Sequence, residues 1–590
     1  MLDPRIYRTG LVLVVLAVIV LAFSLDNQQA PLGTNLAPDA YGGGYAYATM
    51  KTLANSYPDR RPGSAGDNLL AGYVARQLYG DGFTVSTDSF RGRTVDGTRT
   101  LRNVVGIRAG QVNGSIVVVA HRDALSSPAT ADLSGTAALL ELARVLSGET
   151  QQRTVVLAST SGSAGAAGAA QLARTLQRPV DAVIVLGDMA GTAVRAPVVV
   201  PWSNSQQVAP PVLRNTVGSA LGAQTGLSAG STALVGQLAH LGFPMAASEQ
   251  APFGDSGEPA VLLSVSGERG PAANEPTSLP RITGMGRTLL QAVSALDAGS
   301  PVPAPSTYLG FSGKSIPAWA VRLLVLALIL PVLVATVDAL ARARRRGHSI
   351  LRWIGWVLAS ALPFGLAAIV VLAARVLGMV GAAPPGPIGG GALSLHGGEI
   401  ALLVVLAGVV VAGLVWLRPL MIALVGLKSS RVGEEAYGAG AAAGLLLVLC
   451  IASLIAWLTN PFAAILLVPA LHLWMWIVVP DLRLPVPAVF ALLVAGFVLP
   501  VVIGLSYALT LGLGPLQLVW SWVLLLAGGA VGLVSVLEWS VVLGCAFSVI
   551  AIVWRAARAP RPEQAPVTIR GPVSYAGPGS LGGTKSALRR

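Results

Sequence analysis

Residues 115–146, SIVVVAHRDALSSPATADLSGTAALLELARVL, decide the reading of the fold. A β-branched run from Ser115 to Ala120 ends in His121, Arg122 and Asp123, and after a Ser- and Pro-containing stretch a helical run opens behind Asp132 and Ser134. An apolar run without polar alternation suits a strand buried on both faces, with the following helix covering one of them. The same alternation extends both ways. NVVGIR (103–108), RTVVLAS (153–159), DAVIVLG (181–187) and PAVLLSV (259–265) read as further strands, and GAAGAAQLARTL (165–176) as a further helix. The pattern predicts an α/β domain over 46–300, built on a doubly wound, mostly parallel sheet whose site lies at the carboxyl ends of its strands.

Outside that domain the chain is of another kind. Of its 590 residues 53% are hydrophobic and 11% charged, and the mean hydropathy of +0.67 excludes an ordinary soluble protein. Residues 1–9 read as a cytoplasmic N-terminus and 10–25 as an apolar anchor behind Arg5 and Arg8, with a cleaved signal peptide as the alternative. Linkers are expected at 26–45 and 301–316. A transmembrane all-α bundle of about eight helices is expected over 317–556, with spans near 317–340, 351–378, 399–418, 437–458, 461–480, 485–509, 516–535 and 538–556. A basic, disordered tail is expected at 557–590. Arginines 342 and 344–346 after the second span place 26–316 outside the cytoplasm by the positive-inside rule. At the C-terminus the signals conflict: nine spans put it outside, whereas Arg555, Arg558 and Arg561 ask for inside, so one late segment is re-entrant or miscounted.

The net charge of +13 gathers beside the apolar runs, so the partner it implies is the lipid bilayer and not nucleic acid. Both cysteines, Cys450 and Cys545, lie inside apolar runs, which leaves no disulfide framework and no thiolate metal site. His121 is the residue best placed for chemistry, since a neutral imidazole binds zinc and Asp123 could bond its other ring nitrogen. His240 reads as a packed or surface residue, and His472, inside an apolar span, has no acidic partner that would give a transport mechanism.

Across nearly all of 46–300 the order of motifs resembles metallopeptidase family 28, the zinc aminopeptidases and their carboxypeptidase relatives. RRPGSAGDNLLAGYVARQLYGDGF (60–83) is similar to the family's N-terminal helix, VVVAHRDA to its His-x-Asp strand and ADLSGTAALLELAR to its bridging-aspartate helix. VLGDMAG (185–191) is similar to its Asp-Met-x-Gly strand and SEQAPFGDSGEPAVLL (248–263) to its last ligand loop. The resemblance implies that His121 and Asp188 are ligands of one zinc, with Asp123 behind them. It puts the bridging aspartate at Ala131 without a gap and at Asp132 with a one-residue deletion. Gly162 and Ser163 stand where the paired glutamates belong, and Gln250 where the last histidine belongs.

A two-metal hydrolase needs a carboxylate base and enough charged ligands for both ions, and these positions supply neither. Glu141 reads as structural; Glu249 and Asp255 are the loop carboxylates that remain as a displaced base. The expectation is therefore a catalytically degenerate peptidase-like scaffold that binds a peptide, another membrane protein or at most one zinc held by His121, Asp132 and Asp188. The alternatives are an active membrane-bound aminopeptidase with relocated ligands, and a transporter or lipid-handling bundle regulated by the external domain.

Overall fold

The computed structural model describes residues 4–34, 36–230, 233–345, 347, 349–380, 384, 386–424, 439–478 and 484–558. Apart from a two-residue strand β1 (Asp26–Asn27), the first strands are β2 (Thr84–Thr94), β3 (Gly97–Arg108), β4 (Ser115–His121) and β5 (Thr154–Thr160). With β6 (Val180–Leu186), β7 (Val199–Val200) and β8 (Ala260–Leu263) they form a seven-stranded sheet in the order β2-β3-β5-β4-β6-β8-β7. The centre is parallel, β5 and β6 flanking β4 and β8 following β6, while β2, β3 and β7 are antiparallel to their neighbours. The expected α/β sheet, parallel at its centre, is present, with antiparallel pairings added at both edges. The reason is local: β2 and β3 are joined by a tight turn, which can only return the chain antiparallel. β2 carries polar and charged residues along an edge, so it lacks the apolar run that identifies the other strands.

Alternate residues of the central strands face two different environments. Ile116, Val118 and Ala120 enter a core shared with α2 (Gly43–Ser56), α3 (Ala65–Gly80), α4 (Ser134–Leu146), α6 (Pro211–Thr225) and α8 (Leu279–Ala298). Val117, Val119, Val156 and Ala158 face the other way, toward α5 (Ala167–Thr175), Trp202 and Phe253. That second core runs on without a break into the apolar helices of the C-terminal half, including Phe462, Leu467 and Leu471. Helix α7 (Leu234–Gly242) forms part of the junction: its Leu241 carbonyl accepts from Asn460 Nδ2 at 2.8 Å.

Among the described residues six helices are long and apolar enough to cross a membrane. They are α9 (Ala318–Arg345), α10 (Ile350–Val376), α11 (Gly397–Leu424), α12 (Ala439–Thr459), α13 (Pro461–Val478) and α17 (Leu533–Arg558). The span expected at 485–509 is broken into α14 (Val486–Gly496) and α15 (Val498–Leu511), bent by 52°. That expected at 516–535 is the 14-residue α16 (Pro515–Gly528), too short for the ~20 residues that a bilayer core requires. The N-terminal α1 (Pro4–Phe23) packs along α9, and Gly10 lets it approach Pro331 closely. A small sheet joins their ends, where β1 pairs with β10 (Lys314–Pro317) and β10 with β9 (Tyr308–Phe311). The stretch read as a linker at 301–316 therefore contains most of a hairpin. Beyond Arg558 the expected tail lies outside the described residues.

Candidate functional site

β4 and β6 are parallel neighbours, so His121, the last residue of β4, and Asp188, two residues past β6, share one edge of the sheet. There they line a cavity of about 290 Å³ together with Asp123, Asp132, Glu249 and Glu268. Asp132 is on the cavity and Ala131 is buried away from it. Asp132 is held by the 3-10 turn Thr130–Leu133 that leads into α4, and the Ser134 hydroxyl fixes that turn to the next strand end by accepting from Met189 N–H at 2.8 Å.

Each acidic group here is desolvated. Burial pushes Asp132 up to about 7, against the pull of the Arg60 guanidinium and with a further push from Asp188 and Asp123. Asp188 is also raised by burial, though Oδ1 accepts from the N–H of Ala190 at 3.0 Å and Gly191 at 2.7 Å. Its other oxygen lies near Ser266 but outside hydrogen-bond geometry. Burial, helped by the Arg60 charge, lowers His121 to about 4, which keeps the imidazole neutral. Buried Arg122 pairs with Asp67 at 2.8 Å and donates to the Ser159 carbonyl at 3.0 Å, tying strand ends together below the cavity.

Asp123 accepts from the Ser163 hydroxyl at 3.0 Å and from its N–H at 3.1 Å, so the carboxylate is bound to the loop that follows β5. No hydrogen bond joins it to His121 among the described residues. Gly162 has φ +86, and a Cβ there would stand 2.8 Å from Leu101 Cδ1, so a longer side chain would strain the backbone and displace the end of Leu101. Gln250 is fully buried and donates to the Trp202 carbonyl at 3.1 Å.

The carboxylate nearest His121 is Glu249, which sequence reasoning reached only as an unsupported loop candidate. Its Oε2 is 3.7 Å from His121 Nδ1, and its Oε1 accepts from the Thr160 hydroxyl at 2.8 Å. Burial raises Glu249 to about 8. A protonated carboxyl beside a neutral imidazole can hold or pass a proton to a group bound in the cavity. The other loop candidate, Asp255, closes the short helix Ala251–Asp255 and does not line the cavity. Glu141 is structural, as read: it accepts from Gly42 N–H at 2.7 Å and pairs with Arg144. His240 is packed, stacked on Trp202 with ring centres 4.8 Å apart.

Glu268 was missed altogether. It lies in the single turn Gly267–Arg269 after β8, in a stretch with no periodicity to mark it. A metal centre does not fit what is present. Among the described residues no three His, Cys, Asp or Glu side chains are grouped as an ion requires, so His121, Asp132 and Asp188 share a cavity without forming a ligand set.

Comparison with known proteins bears on this domain alone. No curated protein matches the chain. Among solved structures it is similar to a glutaminyl cyclase of Porphyromonas gingivalis, with 16% identity, 43% of this chain and 98% of that one covered, and a TM-score of 0.35. A zinc aminopeptidase from Bacillus subtilis gives 13% identity, 45% and 99% coverage and a TM-score of 0.35. An aminopeptidase from Aneurinibacillus sp. strain AM-1 gives 12%, 45% and 97%, and 0.38. Over residues 103–261, from β3 into β8, the chain matches the model of Peptidase family M28.

Proposed function

We propose that this chain is a membrane-anchored protein whose M28-type domain, held outside the cytoplasm, binds a ligand in its cavity and does not hydrolyse peptides by the two-zinc route. The observation that carries this reading is the bond between Asp123 and Ser163: a carboxylate that would support a zinc site is committed to the residue standing in place of the catalytic glutamates. The orientation rests on the pairing of β1 with β10, which sets the end of α1 beside the start of α9. Arg5 and Arg8 then share the far end of the bundle with Arg342, Arg344 and Arg345, and the positive-inside rule makes that end cytoplasmic.

One observation favours a second reading, an aminopeptidase with a relocated base. Glu249 is a buried carboxyl with a raised pKa beside His121, which is what a general base looks like. The two readings separate on the purified full chain in detergent, assayed for release of N-terminal residues and for bound zinc. We expect no chelator-sensitive release and less than one zinc per chain. Robust turnover that His121→Ala and Glu249→Gln both abolish would establish the enzyme instead.

A further inference from the structure

Both ends of α16 meet the same partner. Gly512, which closes α15 just before it, lies so near Arg269 that a Cβ there would strike the guanidinium. At the other end the Arg93 guanidinium, from β2, is 3.5 Å from the Gly528 carbonyl. Between them the Trp522 ring packs on that of Phe243, just past α7, with ring centres 6.2 Å apart. Arg269, Arg93 and Phe243 all belong to the M28-type domain, so α16 runs along the domain from end to end. A helix of 14 residues is about 21 Å long, and one that crossed a bilayer would carry its last residue that far from the domain.

The helices on either side fix its depth. Trp474, in the last turns of α13, packs on Phe497 with ring centres 5.1 Å apart, and Tyr507 donates to the Phe243 carbonyl at 2.8 Å, so α14 and α15 bring the chain from the far end of the bundle back to the domain. Helix α17 starts beside the end of α10, since a Cβ at Gly529 would lie 3.9 Å from Arg375 Nη1, and passes the middle of α10, where Ser548 donates to Ser360 at 3.1 Å. Only residues 512–514 separate α16 from α15 and only 529–532 separate it from α17. At no more than about 3.6 Å per residue, both ends of α16 stay beside the ends of those spans. Its open face is Leu516, Val519 and Trp522, which are 57%, 47% and 45% exposed and stand at helical spacing without a charge. Tryptophan among aliphatic side chains is the composition favoured where a membrane meets water.

We infer that α16 does not cross the membrane but lies along its surface on the domain's side, with Leu516, Val519 and Trp522 set into the lipid of that leaflet. Among the described residues the 20-residue α1, the six long helices and the bent pair α14–α15 then make eight crossings. An even number returns the chain to the side on which it began, so the C-terminus lies with Arg5 and Arg8, the side to which Arg555 and Arg558 also point by the positive-inside rule. The late segment that set the two signals at odds is α16. Which side is cytoplasmic rests on the orientation proposed above, whereas the placement of α16 rests on its contacts alone.

Single cysteines in the full chain test both parts. The two native cysteines, Cys450 and Cys545, are buried in the bundle and give no background with a membrane-impermeant maleimide. Gln207→Cys marks the domain, Arg345→Cys the far end of the bundle, and a cysteine added after Arg590 the C-terminus. In intact cells Gln207→Cys should label, and the other two only once the membrane is opened. A C-terminal cysteine that reacts with Gln207→Cys and apart from Arg345→Cys would overturn the inference. Labelling of the C-terminal cysteine together with Arg345→Cys, with Gln207→Cys protected, would reverse the orientation proposed above and uphold the placement of α16. Spin labels on Leu516→Cys and Trp522→Cys in lipid nanodiscs then read depth. A surface helix holds both at one shallow depth, open to dissolved oxygen, whereas a crossing helix sets the second about 9 Å deeper. That gradient would overturn the inference, and so would labels shielded from oxygen and broadened by those of a second copy.

Discussion

His240 Nε2 lies 3.8 Å from Glu268 Oε2, yet the two are not an ion pair. Burial lowers His240 to about 4 and raises Glu268 to about 8, so both are neutral at neutral pH. The pair joins the cavity to the bundle, because the same imidazole meets Tyr507 of α15 edge-on with ring centres 5.2 Å apart.

The pH dependence follows from these directions. With its folded pKa raised from 4.5 to about 8, Glu268 keeps its proton in the folded chain after the unfolded chain has lost it, so its contribution to stability falls as pH rises across that window. His240 acts at the other end, where stability falls as pH drops from 6.5 to about 4. Glu268→Gln should therefore stabilise the folded chain relative to the parent by a free energy that grows from pH 5 to pH 8, on the order of a few kcal/mol at the upper end, and raise the unfolding temperature accordingly. Thermal unfolding in detergent at several pH values reads it. A difference that stays flat with pH would contradict the assignment.

Asp123 and Ser163 give an asymmetric pair of variants. Ser163→Ala removes one hydroxyl and should cost about 1 kcal/mol, whereas Asp123→Ala strips the buried Ser163 loop of both its bonds and should cost about 2–3 kcal/mol. Denaturant melts of the two should differ in that order. Equal effects would mean the carboxylate is not what holds the loop.

Introducing a glutamate into the loop should fail. Gly162→Ala already meets Leu101 and a left-handed backbone, and a loss of at least about 1 kcal/mol is expected. Gly162→Glu should be less stable still and take up no zinc. Metal analysis beside a melting curve decides it, and a stable zinc-loaded variant would show that the loop can carry a glutamate and a metal.

Asn460 works at the junction of the two halves. Its Nδ2 donates to the Leu241 carbonyl, while Oδ1 accepts from the N–H of Phe462 at 2.9 Å and so caps α13. Asn460→Ala should cost about 1–2 kcal/mol through the lost cap. Hydrogen exchange should also rise along α7. Faster exchange confined to α13 would show that the bond to Leu241 carries no load.

The central strands were legible because their residues are apolar on both sides, and α4 was legible to its ends, Ser134 and Leu146, because its helical period is strong. The edge strand β2 was not, since an edge tolerates the polar sequence TVSTDSFRGRT. His121, Asp132 and Asp188 could be placed on one cavity from motif order alone. Glu249 and Glu268 could not be assigned a role, because what singles them out is burial beside a histidine distant in sequence, a property of the packed molecule that leaves no trace in spacing. The break between α14 and α15 was equally hidden, for a bent span and a straight one share the same hydropathy.

The core that runs from the sheet into the bundle also sets an order of assembly. Val117 and Val119 are translated early, but the side chains with which they share a core, Phe462 and Leu467 among them, leave the ribosome only after α9 to α12 have been made. Until then the part of that face not covered by α5, Trp202 and Phe253 is an apolar surface, exposed for as long as the intervening helices take to insert. Completion of the domain is thus a late event, and a chain that stops short of α13 cannot finish folding the part it has already delivered.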